Sequence, residues 1–180
     1  MHPRTLEILE HLDRNRASLS AAVSLIPSAL HARRPAPDRW SAVEVVEHLG
    51  IVETRIASMF ADRVNVARNS GLGPDAASSP ILPSLDLEGL LDRSRPIVAG
   101  ENSQPHGGLA MDEARAALDE TRRNLKQAIL ANDGLALEDV SAPHRILGPL
   151  NMYQWLIFVG THEGRHALQI REVAAVLGVL

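Results

Sequence analysis

Apolar residues recur every three or four positions in four long segments of this chain, which is the spacing of an amphipathic α-helix. The first segment runs from Pro3 to about residue 31, although Pro27 can end it early because proline lacks a backbone donor. The third segment spans residues 111 to about 131 and stops at the sequence Asn132-Asp133-Gly134. Each segment predicts a long helix with one buried face.

The second and fourth segments also carry explicit start signals. Ser41 is followed three residues later by Glu44, and Asn151 is followed three residues later by Gln154. Both pairs fit the capping box, in which each residue satisfies a free backbone N–H of the other. We therefore predict one helix from residue 41 to about 68 and another from residue 151 to about 177.

The connections between these helices are long. Residues 69–109 are rich in glycine, proline, serine and asparagine, with a short helical piece predicted around residues 86–94. A connection of this length is either a lid over a pocket or a segment that contacts another subunit. Residues 135–150 form the last connection, and no strand is predicted. Four long helices with these connections predict an all-α four-helix bundle in a single domain, residues 1–180.

Two glycines lie within the predicted last helix. Gly160 and Gly164 each cost about 1 kcal/mol of helix stability relative to alanine. Their spacing of four places them on one side of the helix, where they allow close packing, with another subunit as one candidate neighbour. The alternative is that a long helix simply tolerates them.

Composition narrows the function. The net charge is −4, and no basic cluster alternates with aromatic residues, so we expect no nucleic-acid partner. The absence of cysteine excludes disulfides, thiolate metal sites and a cysteine nucleophile. No run of 18 apolar residues exists, so we expect no membrane span. The N-terminal residues have no apolar signal core, and a cytoplasmic location is the default expectation.

The segment His162-Glu163-Gly164-Arg165-His166 carries the candidate chemistry. Its two histidines are four residues apart on the apolar stripe of the last helix, so both should point into the core from one face. They can bind one metal ion together. A buried polar group without a partner costs about 1–3 kcal/mol, which a shared metal would avoid. Two core histidines with ordinary hydrogen bonds are the alternative, and the pair by itself leaves both readings open.

The segment also matches the zinc-protease pattern H-E-x-x-H, in which the glutamate is the general base. We rank the protease hypothesis last, because the extended pattern requires glycine and histidine where this chain has Gln169 and Glu172. His48, beside the apolar stripe of the second helix, is a better third ligand if helices two and four pack together. Three imidazoles with an open position suit a catalytic Zn²⁺, and Ni²⁺ is also compatible.

The other charged residues and histidines receive no site role. We expect Glu163 to be a solvated or interface carboxylate, with a supporting contact to the metal site as the alternative. Arg165 is predicted to be a surface or interface charge. The remaining histidines considered are predicted to be exposed or peripheral: His11, His31 and His106.

Two segments resemble the DinB-like superfamily of metal-binding bundles. They are residues 40–49, which begin with Trp-Ser and end in His-Leu, and residues 148–170, which contain the histidine pair. The resemblance covers nearly the whole chain. It implies a four-helix bundle with an up-down-down-up path, a divalent metal held by His48, His162 and His166, and a homodimer.

The resemblance also implies a range of activities. Relatives include S-transferases and an isomerase that use a low-molecular-weight thiol, and many others are classed as metal-dependent hydrolases. We therefore expect an enzyme that uses its metal to activate water or a small thiol for hydrolysis or transfer of a small-molecule substrate. The alternative is a non-catalytic bundle, in which the metal or a hydrogen-bond network only ties helices two and four together.

Overall fold

The structure, a computed structural model, describes residues 1–94 and 97–180. Within these residues the helices are α1 (Pro3–Ser24), α2 (Ala42–Asn69), α3 (Leu87–Leu91), α4 (Met111–Ala131) and α5 (Met152–Val176). Two strands, β1 (Ser141–His144) and β2 (Gly148–Asn151), form an antiparallel hairpin. The predicted all-α four-helix bundle is confirmed: α1, α2, α4 and α5 are its long helices. The short helix α3 lies in the connection between α2 and α4, residues 70–110, which we call the crossover.

Both predicted capping boxes are present. The backbone N–H of Ser41 donates to Glu44 Oε2 at 2.8 Å, and the N–H of Glu44 donates to Ser41 Oγ at 3.4 Å. At the start of α5, the N–H of Asn151 donates to Gln154 Oε1 at 3.0 Å, and the N–H of Gln154 donates to Asn151 Oδ1 at 2.9 Å. These contacts fix the first residues of the two helices that carry the candidate site.

Two sequence predictions about local structure were wrong. The first helix ends at Ser24 rather than near residue 31, because Pro27 cannot donate the next helical hydrogen bond. The β hairpin was not predicted, since its strands have only four residues each and each contains a proline, which disfavours a strand. The two prolines, Pro143 and Pro149, face each other across the hairpin.

Contacts between the long helices define the path of the chain. Arg4 lies over the ring of Tyr153 and Arg16 pairs with Glu163, so α1 and α5 run parallel. The helices α2 and α4 are also parallel. Glu53 pairs with Arg122, and farther along both helices Arg68 bonds Asn132. The helices α1 and α4 run oppositely: Arg16 pairs with Asp119, and Asp13 with Lys126. The path is therefore up-down-down-up.

This path explains the long connection. Because α2 and α4 are parallel neighbours, the chain must return along the whole bundle between them, which residues 70–110 do. Within the described residues, no helix is long and apolar enough to cross a membrane.

The bundle core consists of two apolar clusters. One contains the start of α1 and α5 and the end of α2 and α4, and the other contains the opposite ends of these helices. In α2, α4 and α5, buried polar and charged side chains lie between the two clusters in sequence, namely Glu53, Arg122, Glu163 and His166, while His11 of α1 is buried within the first cluster. His162 and His166 of the candidate site lie in this layer of α5, whereas His48 lies within the range of the second cluster in α2.

Gly160 and Gly164 allow α1 to approach α5 closely. A Cβ atom at Gly160 would lie 2.6 Å from His11 Nε2, and one at Gly164 would collide with the amide of Asn15. The close packing predicted from the two glycines is thus made within the chain, by α1.

We expect Gly160→Ala to be less stable than Gly50→Ala by about 1–3 kcal/mol, the usual cost of overpacking. Gly50 is the matched control, because a Cβ atom there has no neighbour within 4 Å and alanine only improves helix propensity. His11 cannot move aside freely, since its buried ring is bonded to the carbonyl of Ile157. Urea unfolding of both variants measures the difference in stability. Equal stability would contradict the prediction, because it would mean that α1 and α5 move apart without loss of stability.

Candidate metal centre

Three histidines meet where α2 packs against α5. His48 Nε2 lies 3.4 Å from His162 Nε2, and His162 Nε2 lies 3.0 Å from His166 Nε2. One ligand atom from each of the three lies within 4.8 Å of the others. The sequence expectation that His48 would reach the pair on the last helix therefore holds, because the antiparallel packing of α2 and α5 places them at the same level of the bundle.

Hydrogen bonds fix the tautomers of two of these rings. His48 Nδ1 donates to the carbonyl of Ser103 at 2.6 Å, and His166 Nδ1 donates to Gln169 Oε1 at 2.7 Å. A neutral imidazole with its proton on Nδ1 has a lone pair on Nε2. The Nε2 atoms of His48 and His166 therefore both direct lone pairs toward His162.

This arrangement fits a bound cation. A single proton on His162 Nε2 can satisfy only one of the two lone pairs that face it. Ligands about 2.0–2.1 Å from a tetrahedral Zn²⁺ are roughly 3.4 Å apart, which matches the separation of His48 and His162, while His162 and His166 lie somewhat closer at 3.0 Å. The outer hydrogen bonds to Ser103 and Gln169 are of the kind that orients metal-binding imidazoles. The three histidines are thus able to hold a divalent metal.

Burial keeps the imidazoles neutral. Removal from water, together with the nearby charges of His48 and Arg165, lowers the pKa of His162 to about 3. Burial also lowers the pKa of His166 well below its usual value, and it lowers the pKa of His48, whose bond to Ser103 opposes the shift. Neutral imidazole is the form that binds metals, so all three rings are ready to bind near neutral pH.

The lowered pKa of His162 predicts acid sensitivity of the metal-free protein. Below about pH 6.5 the unfolded chain protonates this histidine while the folded chain does not, so stability falls as pH falls toward about 3. We expect His162→Gln to reduce the slope of unfolding free energy against pH between these limits by up to about 1.4 kcal/mol per unit. Urea unfolding of metal-free protein across this range measures the slopes, and identical slopes would contradict the shift.

Aromatic rings surround the cluster. The Trp40 ring lies 4.8 Å from that of His48, and Phe158 stacks on His162 at 5.2 Å. His144, from the hairpin, packs against Phe158 at 4.6 Å. Trp40 thus packs directly against the site. Sequence reasoning assigned no role to Phe158 or His144, although Phe158 lies four residues before His162 and hence on the same helix face.

The crossover covers one side of the site. Besides the contact of Ser103 with His48, the N–H groups of His106 and Gly107 donate to Glu47 at 2.9 and 3.0 Å. Arg165 donates to the carbonyl of Leu90 at 2.9 Å. Polar contacts therefore hold this segment against its own bundle, which is compatible with a lid over the site. A contact of this segment with another subunit stays a prediction.

Three expectations about side chains near the site were wrong. Glu163 is fully buried rather than solvated, and its carboxylate accepts hydrogen bonds from Arg16 at 2.5 Å and from Arg122 at 3.0 Å. Arg165 is buried under the crossover instead of lying on the surface. His11 is buried between α1 and α5.

The two other histidines differ from each other. The His106 side chain is 83% exposed, as expected, although its ring lies beside Glu47. His31 is half-buried near the end of α1, where its Nε2 bonds the carbonyl of Ile26 at 2.9 Å. Neither joins the three-histidine cluster.

Comparison with known proteins agrees with this fold. The chain is 29% identical over 142 residues to the uncharacterized protein YuaE of Bacillus subtilis (strain 168), covering 78% of this chain and 81% of that protein. The crystal structure of TT2238, a four-helix bundle protein, superposes with a TM-score of 0.61 at 19% identity, covering 93% of this chain and 98% of that one. A sequence model of the DinB superfamily matches residues 11–170. This chain, a four-helix bundle with three histidines gathered between α2 and α5, therefore belongs to the DinB superfamily.

Proposed function

We propose that this protein is a metal-dependent enzyme in which His48, His162 and His166 hold one divalent ion, Zn²⁺ or Ni²⁺. The supporting observation is the convergence of three Nε2 atoms, two of them with their lone pairs fixed inward by Ser103 and Gln169. Three protein ligands leave a coordination position for a water or a substrate, as in catalytic rather than structural zinc sites.

The reaction is hydrolysis or group transfer on a small-molecule substrate. A bound divalent ion supplies Lewis acidity and lowers the pKa of a coordinated water or thiol, which creates the nucleophile near neutral pH. The protein's part is to hold its imidazoles neutral and oriented, while Trp40 and Phe158 restrict water around the rings. A low-molecular-weight thiol is the nucleophile we favour for transfer, and water for hydrolysis. We further propose a cytoplasmic homodimer with no nucleic-acid or membrane partner.

A second candidate function is a non-catalytic bundle that the metal stabilises. The burial of the ligands favours it: His48 and His166 are only 4% and 7% exposed, and the crossover packs on His48. His162 is only half-buried, so the site is not fully closed, and a substrate in the enzyme would reach the metal from the side of His162 or after movement of the crossover.

Cobalt-substituted protein separates the two functions. We expect a thiol probe, N-acetylcysteine, to bind the Co²⁺ form with a sulfur-to-metal charge-transfer band. Without the thiol, the visible spectrum of the Co²⁺ form should change with pH as the bound water ionises. A Co²⁺ spectrum that changes with neither thiol nor pH between about 5 and 10 indicates a closed structural site. Failure to bind Co²⁺, Zn²⁺ or Ni²⁺ would exclude both functions. Turnover of p-nitrophenyl acetate by the Zn²⁺ form then tests hydrolysis directly.

A further inference from the structure

A cleft separates α1 from α4, on a different side of the bundle from the histidine cluster. Its volume is about 330 Å³, within the range of small-ligand sites. The floor consists of Leu19, Val23 and Leu118, all buried apolar side chains. The cleft exists because these two helices touch only sparingly, while α1 packs closely on α5 and α4 on α2.

One guanidinium in this cleft has no partner. Arg115 is half-buried and lines the cleft, yet it makes no hydrogen bond or ion pair within residues 1–94 and 97–180. The other charges that line the cleft are paired, since Arg16 binds Asp119 across it and also reaches Glu163. The positive charge of Arg115 is therefore the one left without a counter-charge.

The helix geometry places a hydroxyl opposite this arginine. Arg16 of α1 meets Asp119 of α4, and the two helices are antiparallel. One helical turn later in α1 and one turn earlier in α4, Ser20 and Arg115 fall at the same level. The cleft thus offers a cation and a hydroxyl at its rim above an apolar floor.

We infer that this cleft binds a small monocarboxylate with an aliphatic body. A guanidinium recognises a carboxylate through two parallel hydrogen bonds, which fits the free charge of Arg115. The Ser20 hydroxyl donates to the same carboxylate, and the aliphatic chain covers Leu19, Val23 and Leu118. A single unpaired cation accounts for one negative charge, and the apolar floor disfavours a second charged group on the ligand.

The test is titration of the metal-loaded protein with hexanoate, followed by methyl NMR of leucine and valine. We expect saturable shifts at Leu19, Val23 and Leu118, and about fourfold tighter binding for each methylene added from butanoate to hexanoate. Hexanamide, which has no charge, should bind about tenfold or more weakly, because charge-assisted hydrogen bonds exceed neutral ones. The Val159 methyls, which lie beside His162, report separately on the histidine cluster.

Two matched variants complete the experiment. Arg115→Gln should weaken hexanoate binding by about tenfold or more. Arg123→Gln, an exposed arginine of α4 that does not line the cleft, should leave it unchanged. Equal binding by Arg115→Gln and the native protein would overturn the proposal. So would the absence of saturable shifts, or shifts confined to Val159, which would place the carboxylate at the histidines instead.

Discussion

Replacing Arg122 by methionine is expected to lower the free energy of unfolding by about 3–5 kcal/mol at neutral pH, the cost of breaking a buried ion pair from one side. Arg122 donates to both oxygens of Glu53, at 2.5 and 2.9 Å, and to Glu163 Oε2 at 3.0 Å. It also donates to the carbonyl of Leu12 at 3.2 Å. One side chain of α4 therefore satisfies acceptors on the other three long helices.

Methionine has a similar length but no charge, so the variant leaves two buried carboxylates facing each other. Burial already raises the pKa of Glu163 while Arg122 and Arg16 oppose that shift. Loss of Arg122 raises it further. Because protonation then removes the unpaired charge in the folded state, the deficit relative to the native protein should shrink as pH falls.

The matched control for this variant is Lys126→Met, one turn farther along α4. Lys126 pairs with Asp13 at 2.8 Å, but the two side chains are 31% and 61% exposed. Water screens such a pair, so its loss should cost less than about 1 kcal/mol. Urea unfolding of the two variants gives the comparison. If both variants lost less than about 1 kcal/mol of unfolding free energy, the buried network would stabilise the fold no more than an exposed ion pair does.

Replacing His48 by alanine is expected to weaken Zn²⁺ binding by at least about 100-fold, because the loss of a ligand should exceed the 10–100-fold effect of losing an outer partner. His48 is the proposed ligand from α2, and its Nε2 lies 3.4 Å from that of His162. Gln169→Ala should fall within the 10–100-fold range, since Gln169 only accepts the Nδ1 proton of His166.

His106→Ala is the control for the metal measurement. It removes a histidine from the crossover whose ring is exposed and does not join the cluster, so affinity should be unchanged. Competition with a chromophoric chelator gives the affinities, and circular dichroism checks that each variant remains helical. Native-like affinity in His48→Ala would remove α2 from the metal site and leave only the pair on α5.

The local structure could be predicted because its signals are local. Helical spacing of apolar residues and the two capping boxes lie within a few residues of one another, and all four long helices form where these patterns are found. His48 lies beside the apolar stripe of its helix, and this position was enough to predict that it would meet the two histidines of α5. The resemblance to a known family supplied the order in which the helices pack.

The environment of each charged residue depended on the neighbouring helices. Glu163 was expected in solvent because a carboxylate usually lies on the polar face of a helix, yet α5 is buried on several sides and has no such face at this level. Its charge is tolerated only because Arg16 and Arg122 approach from α1 and α4. No pattern within α5 contains that information.

The sequence by itself determined four helices, their starting residues and a set of three histidines. Only the tertiary structure decided that Ser103 and Gln169 fix the tautomers of His48 and His166, that the crossover covers the cluster, and that a charged layer lies at the middle of the bundle. The reason is physical. Helix formation and capping are satisfied within a few residues, whereas a buried charge or lone pair is satisfied by a partner that folding brings from a distant part of the chain.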